Sequence, residues 1–401
     1  MLSRKWCGPA VLFVALALLV SGCGEEAAPA SPAASPAPVS REPIKIGVIT
    51  SLTGRGSVLG VFVKNTLDLM ARRLNDQGGI NGRPVELVYG DDRSEPSQAL
   101  IEYRRLRDSG IAALVGPVLS SSCVAIVDEV ERDKIPMVTT CATQSQVQPV
   151  RSFVFMSTFN NPAMAQQLAR FMKESGYSRI GLLAANDEFG QNGLQSFRDA
   201  ARQQSLQVTD ETFQVTATTF VPQLTAMQNA GVDAILVWAS GTPLVTISKE
   251  AKQLGLRAPL VLTAAGASPL YLQPAADAAE GVIMASSGGN VLESVPTSNP
   301  IRSIVEGLSS AYRSTYNEAP SQFTWDACGA FLVLTTAIKE AGTEPQKIRD
   351  YIESRPIVGC HGTYRYSSSD HAGLGADAVW VVRVQGGRLV ATDFSLRQAQ
   401  R

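Results

Sequence analysis

From Ile44 onward the chain alternates short apolar runs with longer segments in which apolar residues return every three or four positions. The first run, Ile44-Lys45-Ile46-Gly47-Val48-Ile49, reads as a strand. Leu67, Met70, Ala71 and Leu74 then follow at helical spacing until Gly78-Gly79 stops the helix. Further strands are expected over 85–89, 112–115, 137–140, 180–184, 234–238, 260–263 and 282–285, with helical patterns between most of them. Strand and helix repeated in this way predict an α/β chain with parallel sheets covered by helices on both faces. Crossing points between two lobes fall near 155–160, where a strand gives way to Thr158-Phe159-Asn160-Asn161-Pro162, and near 285–289. Helices over 301–316, 325–341 and 348–354 then return to the first lobe. The stretches 362–366, 379–384 and 389–394 read as antiparallel strands, joined through Gly386-Gly387, that finish the second. The expected division is an N-terminal lobe of 44–158 with 287–357 and a C-terminal lobe of 159–286 with 358–401.

The first 43 residues follow a different pattern. Arg4 and Lys5 precede an apolar run from Ala10 to Val20, which meets the small residues Ser21 and Gly22, the layout of a secretory signal peptide over 1–22. The run is too short for a permanent span, which takes about 20 apolar residues. At its end, Leu19-Val20-Ser21-Gly22-Cys23 resembles the lipobox of bacterial lipoproteins, which implies that Cys23 is acylated and becomes the new N-terminus. Acyl chains contribute about 0.8 kcal/mol per buried methylene, so the exported protein is expected to be anchored at the cell envelope through lipid only. Residues 24–40 are Ala, Pro, Ser and Glu with hardly any large apolar side chain, and 23–43 reads as a tether.

Composition narrows the partners. The formal net charge is -1 and no Lys/Arg cluster stands out, so nucleic acid is not an expected partner. Of six cysteines, Cys7 leaves with the signal peptide and Cys23 goes to lipid, which leaves Cys123, Cys141, Cys328 and Cys360 in the folded body. Four cysteines allow three connectivities. The sequence-local pairs Cys123 with Cys141 and Cys328 with Cys360 are preferred, with buried free thiols as the alternative. There is no Cys-x-x-Cys, and His361 and His371 sit in a polar, Ser-rich segment, so neither zinc nor any other cofactor is expected. The chain has no Gly-x-Ser-x-Gly elbow, Walker-type loop or dinucleotide fingerprint, and no His in a plausible nucleophile arrangement; it does not read as an enzyme.

In parallel sheets, ligands bind beyond the carboxyl ends of the strands, where helix N-termini present unpaired N–H groups. Val115-Gly116-Pro117-Val118-Leu119-Ser120-Ser121-Ser122 is the best such loop: its hydroxyls either hold a ligand carboxylate or cap the helix. The loop Thr139-Thr140-Cys141-Ala142-Thr143 follows the next strand, and a bond between Cys123 and Cys141 draws it against the first, so that Ser120 and Thr143 converge. The opposite wall is expected from Asn186-Asp187-Glu188-Phe189-Gly190 and from Trp238-Ala239-Ser240-Gly241-Thr242, with Phe189 and Trp238 as apolar contact or, for Trp238, as core.

At these loops the chain resembles the type I periplasmic solute-binding proteins, in particular the branched-chain amino acid-binding family that serves ABC importers. The likeness is carried in order and spacing by Ile46-Gly47-Val48, Leu52-Thr53-Gly54, Val115-Gly116-Pro117, Ile135-Pro136 with Ala142-Thr143, Asp187-Glu188-Phe189-Gly190-Gln191, Gly231-Val232-Asp233-Ala234, Leu254-Gly255-Leu256 and Trp325-Asp326-Ala327. The resemblance implies two α/β lobes joined by three crossovers and closing over a ligand, with a permease as partner and a monomeric state. By position it assigns the ligand carboxylate to Ser120 and Thr143, helped by Ser121, Cys141 and Ala142. Phe189 becomes an aromatic wall and Leu59 a contact from the first loop. The family's amino-acid binders carry an acid after the strand matching 260–263, for the ligand ammonium; here the stretch is Ala264-Ala265-Gly266, which leaves Asp187 or Glu188 as the alternative source of that charge. A buried ammonium without that partner forgoes about 1.5–3 kcal/mol. The expected ligand is therefore a carboxylate with an apolar body, an aromatic or branched-chain acid ahead of a branched-chain amino acid. A sensory receptor component is the alternative role, because both roles need a two-lobe switch.

Overall fold

The computed structural model describes residues 42–400; the expected signal peptide, Cys23 and most of the expected tether lie outside them. The chain first builds a parallel sheet from β1 (Ile44–Thr50), β2 (Val85–Asp91), β3 (Ala113–Val115), β4 (Met137–Thr139) and β5 (Val154–Met156), in the order β2-β1-β3-β4-β5. Helices α1 (Ser57–Asp76), α2 (Pro96–Asp108) and α3 (Ser120–Asp133) connect its strands. The chain then crosses through Ser157-Thr158-Phe159-Asn160 into a second set of elements: α4 (Asn161–Glu174), β6 (Arg179–Ala185), α5 (Glu188–Gln203), β7 (Gln207–Phe213), α6 (Val221–Asn229), β8 (Ala234–Trp238), α7 (Thr242–Gln253), β9 (Leu260–Leu262), α8 (Pro269–Ala275) and β10 (Ile283–Ser286). Helices α9 (Ile301–Tyr316), α10 (Gln322–Ala341) and α11 (Pro345–Ser354) return to the first sheet; Phe62 of α1 stacks on Tyr312 of α9, and α10 lies against α1, β3 and β4.

The segment 362–366, expected to join the second sheet, does not. Only Thr363–Tyr364 is extended there, as β12, and it pairs with β11 (Ile357–Val358) in a ribbon of its own. The residues that follow run along β5: Tyr366 Oη donates to Met156 O at 2.6 Å, and Met156 N donates to His371 O at 3.0 Å. Two buried tyrosines and a buried histidine supply this packing, and the period-two reading had no means of weighing them. The chain then adds β13 (Trp380–Gln385) and β14 (Arg388–Ala391), turned at Gly386-Gly387 as expected, and ends in α12 (Asp393–Ala399), so the last predicted strand stops short of Phe394. The second sheet is β14-β13-β10-β9-β8-β6-β7, parallel from β7 through β10 and antiparallel at β13 and β14.

Burial explains which strands were legible. Ala234–Trp238 is buried at every position, as a central parallel strand covered on both faces must be. Its edge counterpart β7 is mostly polar and solvent-facing, and no apolar run marked it. Both disulfides have the sequence-local pairing, Cys123 with Cys141 and Cys328 with Cys360. The two histidines are buried despite their polar surroundings, and each meets a carboxylate: His361 Nε2 lies 2.8 Å from Asp326 and His371 Nε2 3.1 Å from Glu353. Among the described residues, no helix is long and apolar enough to cross a membrane.

Candidate functional site

Both sheets direct the carboxyl ends of their strands at one cavity. The β1–α1 loop and first turn bring Arg55 and Leu59; the β3–α3 loop brings Val118 to Ser121; the β4 loop brings Thr140, Cys141 and Ala142. From the other side come Asp187 and Phe189 after β6, Ser240 after β8, and Ala264 and Ala265 after β9. Thr158 and Phe159 of the crossing, Met164 of α4, and Gln322, Phe323 and Asp326 of α10 close the floor. The cavity lies where strand order reverses about β1 and β3 and about β6 and β8, the position that favours binding in open parallel sheets. It offers about 60 Å³ to the centres of water-sized molecules. At roughly 10–15 Å³ per water position that is about four to six positions, which suits a small ligand.

The first wall is shaped by its turn. Gly116 takes φ +90°, and a Cβ there would sit 2.0 Å from Ile49 O, so only glycine lets β3 turn this close to β1. The helix that follows begins with Ser120 and Ser121, and no side chain caps it. The first-turn N–H groups of α3 thus lack both intrahelical and side-chain partners, and the serine hydroxyls are not spent as caps. Cys141 is bonded to Cys123 of α3, and Thr140 donates to Pro117 O through its backbone N–H at 3.3 Å and its hydroxyl at 3.0 Å, which holds the β3 and β4 loops side by side.

Three residues expected in the site are elsewhere. Thr143 is fully buried and does not line the cavity; its hydroxyl donates to Glu188 Oε1 at 2.7 Å and accepts from Ser145 N, so it joins the two halves of the molecule. Trp238 is core: it is 0% exposed, and a Cβ at Gly193 of α5 would come within 1.9 Å of its Nε1. The indole lies beneath α5 and meets Phe189 at a ring distance of 6.2 Å, so it backs the aromatic wall without forming it. Gly241 leads into α7 at φ +72° while its neighbour Ser240 faces the cavity. Leu59, Ser120, Ser121, Cys141, Ala142, Phe189 and Ala265 are brought together as expected.

Ala264 and Ala265 do line the cavity without an acid, and carboxylates line it from elsewhere: Asp187, one of the two acids left open to supply that charge, and Asp326. Asp187 is committed: it caps α5 by accepting from Gly190 N at 3.0 Å, and it pairs with Arg55 across the cavity at 3.4 Å. A further polar contact bridges the halves: Gln144 N donates to Asn192 Oδ1 at 3.2 Å. Asn161 Nδ2, on α4 of the same half as α5, donates to that oxygen at 2.9 Å and to Phe189 O at 3.2 Å and so holds the acceptor in place. Arg55 and Gln322 carried no sequence signal, because an isolated polar residue shows its use only once its helix is placed. Asp326 lay within a segment already marked by the resemblance.

This arrangement has relatives. The periplasmic binding protein family matches residues 43–388, and the chain belongs to it. It is a solute-binding protein and not an enzyme. The Leu/Ile/Val-binding protein homolog 3 of Brucella melitensis biotype 1 is 24% identical over 335 residues, 81% of this chain and 88% of that protein. The Leu/Ile/Val-binding protein BraC3 of Rhizobium johnstonii is 36% identical over 107 residues, 27% of this chain and 29% of that protein. Among solved structures, the leucine-binding protein LivK of Thermotoga maritima MSB8 superposes with a TM-score of 0.77 at 26% identity, covering 87% of this chain and 97% of that one.

Proposed function

We propose that the chain is the extracytoplasmic solute-binding lipoprotein of an ABC importer, anchored through Cys23, and that it captures a small carboxylate with an apolar body, a branched-chain amino acid first among them. The observation that carries this reading is the pairing of walls: an uncapped helix start with free hydroxyls at Ser120 and Ser121 faces Phe189 across a cavity of a few water positions. Helix N–H groups and serine hydroxyls suit a carboxylate, and Leu59, Met164 and Phe189 suit a short apolar body. The relatives named for leucine, isoleucine and valine support the same ligand class. The bodies that close on the ligand are 44–158 with 287–372 and 159–286 with 379–400, because Tyr366 and His371 bond to β5 of the first sheet and the chain rejoins the second sheet at β13; the bonds of Thr143 to Glu188 and of Arg55 to Asp187 belong to the closed form.

Thermal melting in the presence of L-leucine, L-isoleucine, L-valine, benzoate and branched 2-oxo acids tests the ligand class. A probe at about 100 times its Kd adds roughly 2.7 kcal/mol to stability. At least one branched-chain probe is expected to raise Tm; no response to any of the five would refute the proposed class. Separately, Cys23→Ser is expected to release the protein from the membrane fraction, and retention there would refute the anchor.

A further inference from the structure

We propose that Asp326 is the residue that recognises an amino group on the ligand, taking the role that no acid beyond β9 can fill. This rests on the solute-binding reading above and names one subsite of that cavity. Asp326 stands on the first turns of α10 with its side chain 4% exposed, and it lines the cavity floor. Its Oδ1 accepts from Gln322 Nε2 at 3.0 Å and faces His361 Nε2 at 2.8 Å; its Oδ2 takes part in neither contact. An enclosed carboxylate with one free oxygen has unmet capacity for a donor, and a charged donor satisfies it best. Asp187, the other acid on the cavity wall, has one oxygen on the α5 cap and the other on Arg55.

The surroundings hold Asp326 in place for this task. His361 Nδ1 meets Ser287 Oγ at 3.1 Å, and Ser287 N donates to Gln322 Oε1 at 2.8 Å, so carboxylate, imidazole, hydroxyl and amide form a closed ring of contacts. Ser157 of the first crossing donates to Asp326 O at 2.8 Å, and the Phe159 ring stands edge-on to His361 at 5.2 Å. Ser157 and Ser287 belong to two of the stretches where the chain passes between the sheets. An ammonium on Asp326 therefore lands on the residue that ties those stretches to α10, and binding is coupled to the position of the crossings.

Calorimetric titration with two probes, L-leucine and its deaminated counterpart 4-methylpentanoate, tests the proposal on wild type, Asp326→Asn and Asp187→Asn. The wild type is expected to prefer leucine. Asp326→Asn is expected to weaken leucine by about tenfold to hundredfold, the range of a charge-assisted hydrogen bond, while 4-methylpentanoate holds or improves. Asp187→Asn is expected to weaken both probes by the same factor, since it loosens the Arg55 contact between the halves. Selective loss of leucine in Asp187→Asn overturns the proposal even if Asp326→Asn does not fold. Equal leucine affinity in wild type and Asp326→Asn overturns it too, as does a wild type that binds 4-methylpentanoate but not leucine; in these cases the solute-binding reading stands. A wild type that binds neither probe overturns the Asp326 assignment, and whether the ligand class falls with it is read from the melting test with the wider set of probes.

Discussion

Thr143→Val separates a residue that holds the ligand from one that holds the lobes. The hydroxyl donates to Glu188 Oε1 at 2.7 Å, with Thr143 on the β4 loop of the first sheet and Glu188 on the first turn of α5 in the second. Removing it deletes a hydrogen bond to a charged acceptor, a class that contributes about 1.5–3 kcal/mol. Glu188 is only partly buried and regains water, so we expect about 1–2 kcal/mol, or roughly fivefold to thirtyfold in the closing equilibrium. Apparent affinity follows the closed fraction, so every ligand is expected to lose by the same factor whatever its head group. Titration calorimetry on wild type, Thr143→Val, Glu188→Ala and the double variant measures this directly. The expected coupling between the two positions is at least about 1 kcal/mol. Additivity within about 0.5 kcal/mol would refute the reasoning and return Thr143 to the ligand.

Three further outcomes follow from the same contacts. Ser120→Ala removes a hydroxyl that caps nothing, so it is expected to weaken carboxylate ligands by about tenfold with Tm nearly unchanged, and a large fall in unliganded Tm would show that the serine serves the helix. Asp233 accepts from the Arg179 N–H and guanidinium and from the Ser178 N–H and hydroxyl, which hold its carboxyl well below the usual carboxylate range. A lowered folded pKa gives stability that is present above the unfolded value near 3.9 and is lost as pH falls toward the folded one. The Tm gap between wild type and Asp233→Asn is thus expected to be level from pH 7 to about 5 and to shrink below about pH 4; a gap that stays level to about pH 2 contradicts the assignment. Gly193→Ala drives a methyl to within 1.9 Å of the Trp238 ring and is expected to destabilise by about 1–3 kcal/mol or more, read by denaturant melting; a neutral effect would mean that α5 is free to shift.

The sequence was readable where burial wrote a pattern. Central strands such as Ala234–Trp238 are apolar at every position, and helix stops such as Gly78-Gly79 have few other uses. The carboxyl-end rule then selected loops that converge, and Leu59, Ser120, Ser121, Cys141, Ala142, Phe189 and Ala265 meet in one cavity. It could not say which way each side chain turns. Thr143 follows Ala142 in the chain yet points at Glu188, and Trp238 ends its strand on the face covered by α5. Nor could spacing find Asp326, whose approach to the cavity depends on how α10 returns to the first sheet more than 150 residues after the chain left it. The inference against an amino group rested on a single loop, 264–266, while the carboxylates that line the cavity arrive from the β6–α5 loop, as Asp187, and from α10, as Asp326. The edge strand β7 and the tyrosine-packed segment after β12 were missed for a related reason: their polar or aromatic residues gain their role from a neighbour, which no local pattern encodes.

The central claim is that the two halves close over a small carboxylate held at the start of α3. Small-angle scattering of the protein with and without saturating L-leucine, run beside Ser120→Ala, tests it most directly. The account predicts that leucine makes the wild type more compact and that the Ser120→Ala variant needs about tenfold more ligand for the same change. A scattering profile that leucine leaves unaltered while calorimetry reports binding, or a Ser120→Ala variant that responds like wild type, would contradict it.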